Sequence, residues 1–427
     1  MTRTVDRLPS LLRTGTLAAW FLYLLLNPVH AFPLGTPQPS DYLLAGLSLV
    51  TLVGLRGPLP AAQRRFATVM WIGVAYITAV NLTWTVQTGR TEIALNAAYY
   101  VFNGLAVTTF FLLHARYGEL FLRVTVVGIV LALFLQIGLI VGFGNVGASR
   151  ATLLAAKPNQ LGYFAVLGAT IYLFARDAGV AGRLQSQVWS VAILSGAGLL
   201  SVVAISRAAM AGVLAALAVA FLRRPSGLIA VVAAGLLVGF ASGPRLVRSL
   251  RSVDVEAVDR IQRRMVMMAG RGAEEILDER GYARIIEQPQ YTLFGAGEGA
   301  EERWVHTGRA QEVHSTVANL FFAYGIVGLG WLILLLYSIG AKGGAWALIY
   351  LVPVFVYGTT HNGARETLFW VALTMAFTLG RRVRGARART GSGAPGGEPA
   401  TEPSPTSGLS PLARAFARVE TGSRPSA

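Results

Sequence analysis

Long runs of apolar residues, separated by short polar segments, dominate the chain. A helix needs about 20 apolar residues to cross the hydrocarbon of a membrane, so runs of roughly this length predict membrane spans. Twelve runs qualify: Leu12–Pro28, Asp41–Leu55, Phe66–Val86, Ile93–His114, Leu120–Val141, Gln160–Ala175, Val188–Ile205, Ala208–Leu222, Gly227–Ala241, Val317–Gly340, Ala345–Thr359 and Thr367–Gly380. The pattern predicts an all-α polytopic membrane protein with about twelve transmembrane helices.

Composition agrees with this pattern. Of the 427 residues, 54% are hydrophobic and 14% are charged, and the mean hydropathy is +0.54. These values are too apolar for a soluble domain of this length. The chain contains no cysteine, which excludes disulfides and thiolate sites.

The placement of arginines predicts the orientation, because basic residues in short loops favour the cytoplasmic side. Arginines recur in alternate loops, from Arg56 and Arg64 to Arg381 and Arg382, which places both termini in the cytoplasm. The first span, which no small-residue cleavage site follows, is interpreted as a retained signal anchor. The predicted organisation is spans 1 to 9 in residues 1–241, a large helical extracytoplasmic loop in 242–316, spans 10 to 12 in 317–380, and a disordered cytoplasmic tail in 381–427.

The net charge of +16 comes from arginines that are spread over many loops. Nucleic-acid binding uses a continuous basic stripe, so the charge instead favours contact with anionic membrane lipids and predicts no nucleic-acid partner. The long loop is rich in helix formers, and we expect two or three short helices lying on the outer membrane face.

Polar residues able to do chemistry concentrate on the predicted outer side. They are Arg150, Lys157 and Asn159 before span 6, Arg207 at the head of span 8, Arg280 and Arg284 in the long loop, His314 before span 10, and His361 and Arg365 in the last outer loop. Arg280 and Arg284 are four apart, which predicts one shared helical face.

Each of these residues also has a structural interpretation. The two loop arginines could pair with Glu279 or Glu287, and a histidine at an interface can be an amphipathic anchor. Arg207 is harder to explain in this way, because a charge between apolar spans is costly. Asp254 and Glu256 point apart on a helix, so we predict no metal, and no cofactor either.

The order of the motifs resembles the bacterial O-antigen ligase and O-antigen polymerase family. The resemblance covers about Gly147 to Gly340. It consists of "KPNQLG" entering a span, Ser-Arg opening a span, an arginine-containing helix with "LFGAGEG" in a large outer loop, and "HS" before "LFFAYGIVGLG". The chain departs from the family at Ser315, where Asn is common, and in a longer segment before Gly-x-Gly. This second departure makes Arg280 the first choice for the loop arginine and Arg284 the second.

The resemblance implies transfer of a glycan from an undecaprenyl-diphosphate carrier to an acceptor hydroxyl, such as a lipid A-core sugar, on the outer face of the bacterial cytoplasmic (inner) membrane. Arginine forks suit a diphosphate leaving group, which assigns carrier contacts to Arg207, Arg280 or Arg284, Arg150 and Lys157. A histidine near neutral pKa suits the acceptor proton, which makes His314 the expected base. His361, Arg365 and Asn159 are secondary contacts, and a metal-independent, inverting displacement is expected.

Several alternatives remain open. A polysaccharide polymerase and an O-linked protein glycosyltransferase fit the same motifs, and Glu298 is an alternative base. A twelve-span secondary transporter is the alternative from another class. Transporters tend to show internal repeats and charges near the bilayer midplane, whereas no clear repeat is seen here and the polar residues deep in the predicted spans, such as Asn81, Asn103 and Gln136, are uncharged.

Overall fold

The computed structural model describes residues 7–32, 36–55, 58–143, 158–204, 206–223, 280–300, 303–304 and 312–391. Over these ranges the protein is helical and contains no β-strand, which confirms the all-α prediction for the described residues. The α-helices of these ranges, α1 to α13, are Arg7–Leu26, Pro39–Gly54, Ala61–Thr88, Thr91–Tyr117, Glu119–Phe143, Pro158–Asp177, Gln187–Val203, Arg207–Arg223, Ala283–Glu287, Thr316–Gly343, Ala345–Ile349, Val352–Gly358 and Thr367–Gly391. Short 3₁₀ helices lie at Gly182–Gln185 and Pro289–Tyr291.

Four of the described helices are long and apolar enough to cross a membrane by length and composition: α3, α4, residues Glu119–Leu139 of α5, and α10. Eleven of the twelve predicted runs coincide with helices, and the ninth, Gly227–Ala241, lies outside the described residues. The eleventh run forms two helices, α11 and α12, rather than one. Pro353 has no backbone N–H to bond the carbonyl of Ile349, so a continuous helix is interrupted there.

The interior of the bundle is built around α6 and α13. Residues 161–176 of α6 and 367–377 of α13 are all buried. A helix that is buried on every side lies inside a helical assembly rather than at its surface. Residues 359–366, called the α12–α13 loop below, therefore run directly into the fully buried first part of α13.

Other helices pack around these two. Helix α1 packs on α5, α3 packs on α4 and α10, and α6 packs on α7 and α8. Aromatic rings join α13 to its neighbours: Trp370 lies 5.3 Å from Trp331 of α10, and Phe377 lies 4.5 Å from Phe66 of α3, between ring centroids.

The chain divides into two units, Met1–Ala386 and Arg387–Ala427. In the second unit, the described residues 387–391 form the end of α13. Helix α13 extends past the predicted end of the last span at Gly380, so residues 381–391 of the predicted tail are helical, and 392–427 lie outside the described residues. Of the predicted loop 242–316, the described part holds α9 and the 3₁₀ turn Pro289–Tyr291.

Candidate functional site

Helix α10 is broken at Gly325, whose φ of +64° and ψ of −165° are not helical. The break leaves the carbonyls of Phe322 and Ala323 free to accept bonds from outside the helix. The amide of Ala296 donates to Phe322 at 3.0 Å, and the amide of Gly297 donates to Ala323 at 2.9 Å. Residues 292–299, which we call the glycine loop, are therefore bonded directly to the opened backbone of α10.

Glycines allow the two backbones to come this close. A Cβ added to Gly325 would lie 2.2 Å from the carbonyl oxygen of Leu293, and one added to Gly295 would lie 2.2 Å from that of Ala323. The indole of Trp84 in α3 donates to the Gly295 carbonyl at 3.0 Å and fixes the loop from the other side. The Gly-x-Gly and Gly-x-x-Gly motifs thus form two halves of one backbone contact.

Glu298 of the glycine loop is a buried carboxylate at the centre of a hydrogen-bond network. Its Oε1 accepts bonds from Asn319 at 2.7 Å, Asn362 at 2.9 Å and Arg365 Nε at 3.0 Å, and its Oε2 accepts one from the Tyr324 hydroxyl at 2.8 Å. A carboxylate offers about four lone-pair positions, and four donors are bonded to this one, three of them to Oε1. Glu298 is suited to joining the loop, α10 and the α12–α13 loop, and is poorly suited to the alternative role of base.

Arg365 bridges two carboxylates. Its Nη2 lies 3.0 Å from Glu298 and 3.0 Å from Glu312. Burial alone would lower the pKa of Arg365, but Glu298 and Glu312 raise it above its ordinary value. Arg365, which was predicted as a secondary contact, is therefore part of the site, where its positive charge links two carboxylates.

His314 lies beside Arg280. Its backbone N–H donates to the carbonyl of Arg280 at 3.0 Å, and its side chain is half-buried. The next residue, Ser315, is the N-cap of α10, and its Oγ accepts a bond from the amide of Ala318 at 3.3 Å. Serine is one of the favoured N-cap residues, so Ser315 suits the start of this helix.

The α12–α13 loop contacts both Arg280 and the start of α10. The Nη1 of Arg280 donates to the carbonyl of Thr360 at 2.8 Å. The hydroxyl of Thr316 donates to the carbonyl of His361 at 3.1 Å and accepts from the amide of Gly363 at 2.9 Å. One loop therefore fixes the start of α10 and the predicted loop arginine relative to each other.

His361 packs within its own loop. Its ring stacks on that of Tyr357 with centroids 4.8 Å apart, and its Nδ1 lies 3.0 Å from the Thr360 hydroxyl. The structure thus places His361 near His314 in the fold, but holds its ring by packing.

Arg280 and Arg284 do not share a helical face, so that prediction is wrong. Helix α9 begins at Ala283, and Gly281, with φ of +72°, separates Arg280 from it. Arg284 is 3% exposed, with its guanidinium 5.1 Å from the ring centre of Trp304. Arg280 therefore faces the α12–α13 loop, whereas Arg284 lies among aromatic rings.

Arg207 is the first residue of α8 and is exposed. The hydroxyl of Ser206 accepts a bond from the amide of Ala209 at 3.4 Å and so caps the helix. Helix α7 ends at Val203, so three residues separate it from α8. A cation at a helix N-terminus is unfavourable to the helix dipole, so helix formation does not account for Arg207.

The starts of α6 and α8 meet the end of α12. The carbonyl of Asn159 accepts a bond from the Tyr357 hydroxyl at 2.8 Å, and a Cβ added to Gly162 would lie 3.1 Å from the side chain of Ser206. Asn159 and Arg207 are therefore at the end of the bundle that carries the α12–α13 loop. Two predicted carrier contacts lie outside the described residues: Arg150 and Lys157.

Sequence reasoning missed most of the network around Glu298. Glu312, Asn319 and Asn362 were not proposed, although Asn319 stands one turn inside a long apolar run. A polar side chain in such a run needs a buried partner, and this was the available signal.

Comparisons with known proteins assign no family to the chain. No family model matches the sequence, and no curated protein matches it. Function must therefore be argued from the residues and their geometry.

Proposed function

We propose that the protein is an O-antigen ligase-like glycosyltransferase of the bacterial cytoplasmic membrane. It moves a glycan from undecaprenyl diphosphate to an acceptor hydroxyl, such as that of a lipid A-core sugar. The observation that supports this best is the direct contact between the segments of Arg280 and His314, joined by a 3.0 Å backbone hydrogen bond. The backbone positions that carry a cation for the leaving group and a base for the acceptor are then adjacent in the fold.

The proposed reaction is a direct displacement. The acceptor oxygen forms a bond to the anomeric carbon, while the bond from that carbon to the diphosphate breaks and its electron pair leaves with the diphosphate. Arg280 and Arg207 hold the departing diphosphate through bidentate hydrogen bonds, which arginine's planar fork makes possible. His314 takes the proton of the acceptor hydroxyl. Attack opposite the leaving group inverts the anomeric centre.

Among the predicted site arginines Arg280, Arg284 and Arg365, the surroundings favour Arg280 for the carrier. Arg365 is matched by Glu298 and Glu312, and Arg284 stacks on Trp304. The described side-chain bond of Arg280 goes to a neutral backbone carbonyl. Of these three charges, that of Arg280 is therefore the best suited to meeting an anionic ligand.

The proposal includes a membrane topology. About twelve spans, with both termini in the cytoplasm, place the glycine loop, His314 and the α12–α13 loop on the outer face. A carrier with a polyprenyl tail remains in the outer leaflet, so its diphosphate is presented at the membrane surface. The ends of apolar helices are the appropriate place for such a site.

Lysine substitutions test the proposed arginine roles. In a transfer assay with purified protein, a carrier-linked glycan and a lipid-anchored acceptor, we expect Arg207→Lys and Arg280→Lys to lose about 10- to 100-fold in rate, because a point charge cannot replace the fork. Arg123→Lys is the matched control, since Arg123 is an exposed arginine paired with Glu119. Parent-like rates for the two site variants at normal abundance would make these arginines structural.

Deletion of the gene distinguishes the related activities. Loss of attached polymer with accumulation of carrier-linked polymer indicates a ligase. Single-repeat products indicate a polymerase, and loss of glycan from proteins alone indicates O-linked protein glycosylation. Unchanged glycans with a lost uptake phenotype would replace the proposal with a transporter.

A further inference from the structure

A second polar space lies close to the α12–α13 loop. This cleft is formed by the loop after α1, the start of α6 and the start of α13, and it encloses about 340 Å³ of empty space, its open mouth included. Its polar lining includes His30, Gln160, Tyr163 and Glu366. None of these residues has a role in the proposed displacement.

Three polar atoms of this lining are buried without a hydrogen-bond partner among the described residues. They are His30 Nδ1, Gln160 Oε1 and Tyr163 Oη. Tyr163 is 3% exposed. Folded proteins rarely leave such atoms unsatisfied, because each loses its bonds to water on burial. Three of them around one space indicate that the cleft is built to hold a polar occupant.

The lining selects for a neutral occupant. No arginine or lysine is among the described residues that line the cleft, so these residues offer an anion such as phosphate no charge partner. Burial raises the pKa of Glu366 above its ordinary value, although a hydrogen bond from Gln160 partly opposes this. A tyrosine hydroxyl donates and accepts, an amide oxygen accepts, and an imidazole nitrogen does either. A hydroxyl group, which also donates and accepts, complements this mixed set.

We propose that the cleft is a sugar subsite that binds a neutral glycan hydroxyl through Tyr163, Gln160 and His30. About 20 Å³ of the cleft is wide enough for a water molecule, which is room for one or two waters. A single hydroxyl or hydroxymethyl group fits this space, while the sugar ring stays at the mouth of the cleft. The inference rests on the proposed function for the source of the sugar, which is either the acceptor or the carrier-linked glycan.

The position of the cleft suits a subsite for the proposed reaction. The ring of Tyr163 stacks on Tyr357 with centroids 4.2 Å apart, and Tyr357 stacks in turn on His361. A Cβ added to Gly363 would lie 2.3 Å from the Tyr163 hydroxyl. The cleft and the α12–α13 loop therefore share one layer of aromatic rings, so a glycan held in the cleft has a neighbouring sugar near the candidate site.

A pair of conservative substitutions tests sugar binding. Tyr163→Phe removes one unsatisfied hydroxyl from the cleft. Thr170→Val is the matched control, because Thr170 lies on the same helix, is buried, and has an Oγ1 without a described partner, but does not line the cleft. Neither substitution should lower the melting temperature of the purified full chain without ligand, since each removes an unsatisfied buried group.

The probes are glucose, galactose and N-acetylglucosamine, each added at millimolar concentration and followed by saturation-transfer NMR. We expect at least one sugar to bind the parent and Thr170→Val equally, and to bind Tyr163→Phe about 2- to 10-fold more weakly, as loss of one hydrogen bond predicts. If none of the sugars binds the parent, or if Tyr163→Phe binds as the parent does, the cleft holds only water and the inference is overturned.

Transfer kinetics separate the two sources of the sugar. If the acceptor occupies the cleft, Tyr163→Phe raises the KM for the acceptor alone, and if the carrier-linked glycan does, it raises the KM for that donor alone. Both KM values unchanged would overturn the role in transfer. A parent that binds sugar but transfers no glycan would instead overturn the proposed function and leave the sugar site standing.

Discussion

His314 and His361 are close in the fold but differ in their surroundings. His314 is half-buried in the segment before α10, whereas the ring of His361 stacks on Tyr357. We expect His314→Ala to lose about 10²- to 10⁴-fold in transfer rate, the usual worth of a general base. His361→Ala should lose much less, because its ring is held by packing. Initial rates at equal amounts of folded protein make the comparison.

If His314→Ala still transferred glycan at close to the parent rate across the neutral pH range, the base would be another group. Glu298 is an unattractive replacement, because it is buried and already accepts hydrogen bonds from Asn319, Asn362, Arg365 and Tyr324. His314 would then be an interfacial anchor before α10.

Arg365 also stabilises the fold, and this contribution to the free energy of unfolding can be measured without any substrate. Its partner Glu298 is 1% exposed in its side chain, so Arg365→Met leaves a buried carboxylate without its cation. Breaking a buried ion pair in this way costs roughly 3–5 kcal/mol, and the lower end applies here because the arginine side chain is 26% exposed. Denaturant unfolding in detergent measures the change.

Arg123→Met is the control for Arg365→Met. The side chains of Arg123 and Glu119 are 54% and 37% exposed, and such surface pairs contribute about 0–1 kcal/mol. Equal effects of the two substitutions would show that the Glu298 network is not a buried electrostatic centre. Adding Glu298→Gln to Arg365→Met should restore part of the lost stability, since it removes the uncompensated charge.

The break in α10 is the element on which the site's geometry depends. Gly325→Ala forces a side chain into a backbone conformation that essentially only glycine adopts, at a cost of about 1–3 kcal/mol, and the added Cβ would collide with the Leu293 carbonyl. We expect lower stability and faster hydrogen exchange at the amides of Ala296 and Gly297. Gly330→Ala in the same helix is the control.

A Cβ added to Gly330 meets nothing within 4 Å, so Gly330→Ala should be neutral or raise helix stability by up to about 1 kcal/mol. If Gly325→Ala behaved in the same way and left the exchange of Ala296 unchanged, the glycine loop would not be bonded to the broken helix in solution.

The helices could be predicted from the sequence, but the break in α10 could not. Apolar length is a local property, so eleven predicted runs coincide with helices. Apart from Asn319, the run after Val317 stays apolar through Gly325, so nothing in its polarity marks an interruption at the glycine. The glycines of "LFGAGEG" favour a tight turn, but their partner in α10 is distant in sequence and is visible only in the fold.

The candidate site, too, was only partly predictable from the sequence. Arg280 and His314 were singled out through a motif order, and the structure places their segments in contact. The network of Glu298 joins Asn319 with Asn362 and Arg365, residues that belong to different predicted segments. Such long-range pairing depends on how helices pack, which local patterns do not encode.

Helices α10 and α13 run parallel. Their starts are joined through Thr316 and Gly363, whose amide donates to the threonine hydroxyl at 2.9 Å. At the other end, a Cβ added to Gly343 would lie 2.7 Å from Gly380. Two parallel helices need a returning segment between them, and α11 with α12 supplies it. A position before α10 and a position after Gly380 are therefore at opposite ends of the bundle.

Reporter fusions convert this geometry into a topology test. Alkaline phosphatase needs disulfides and so becomes active outside the cytoplasm, whereas a fluorescent protein reports the cytoplasm. We expect fusions after Ala300 to be extracytoplasmic and those after Arg384 to be cytoplasmic, with a fusion after Gly344 as an internal control that reports the same side as Arg384. Ala300 and Arg384 on one side would mean that the number of spans is wrong by one. A cytoplasmic Ala300 fusion with an extracytoplasmic Arg384 fusion would place His314 in the cytoplasm. An acceptor on the outer face cannot reach it there, so this result would contradict the proposed transfer.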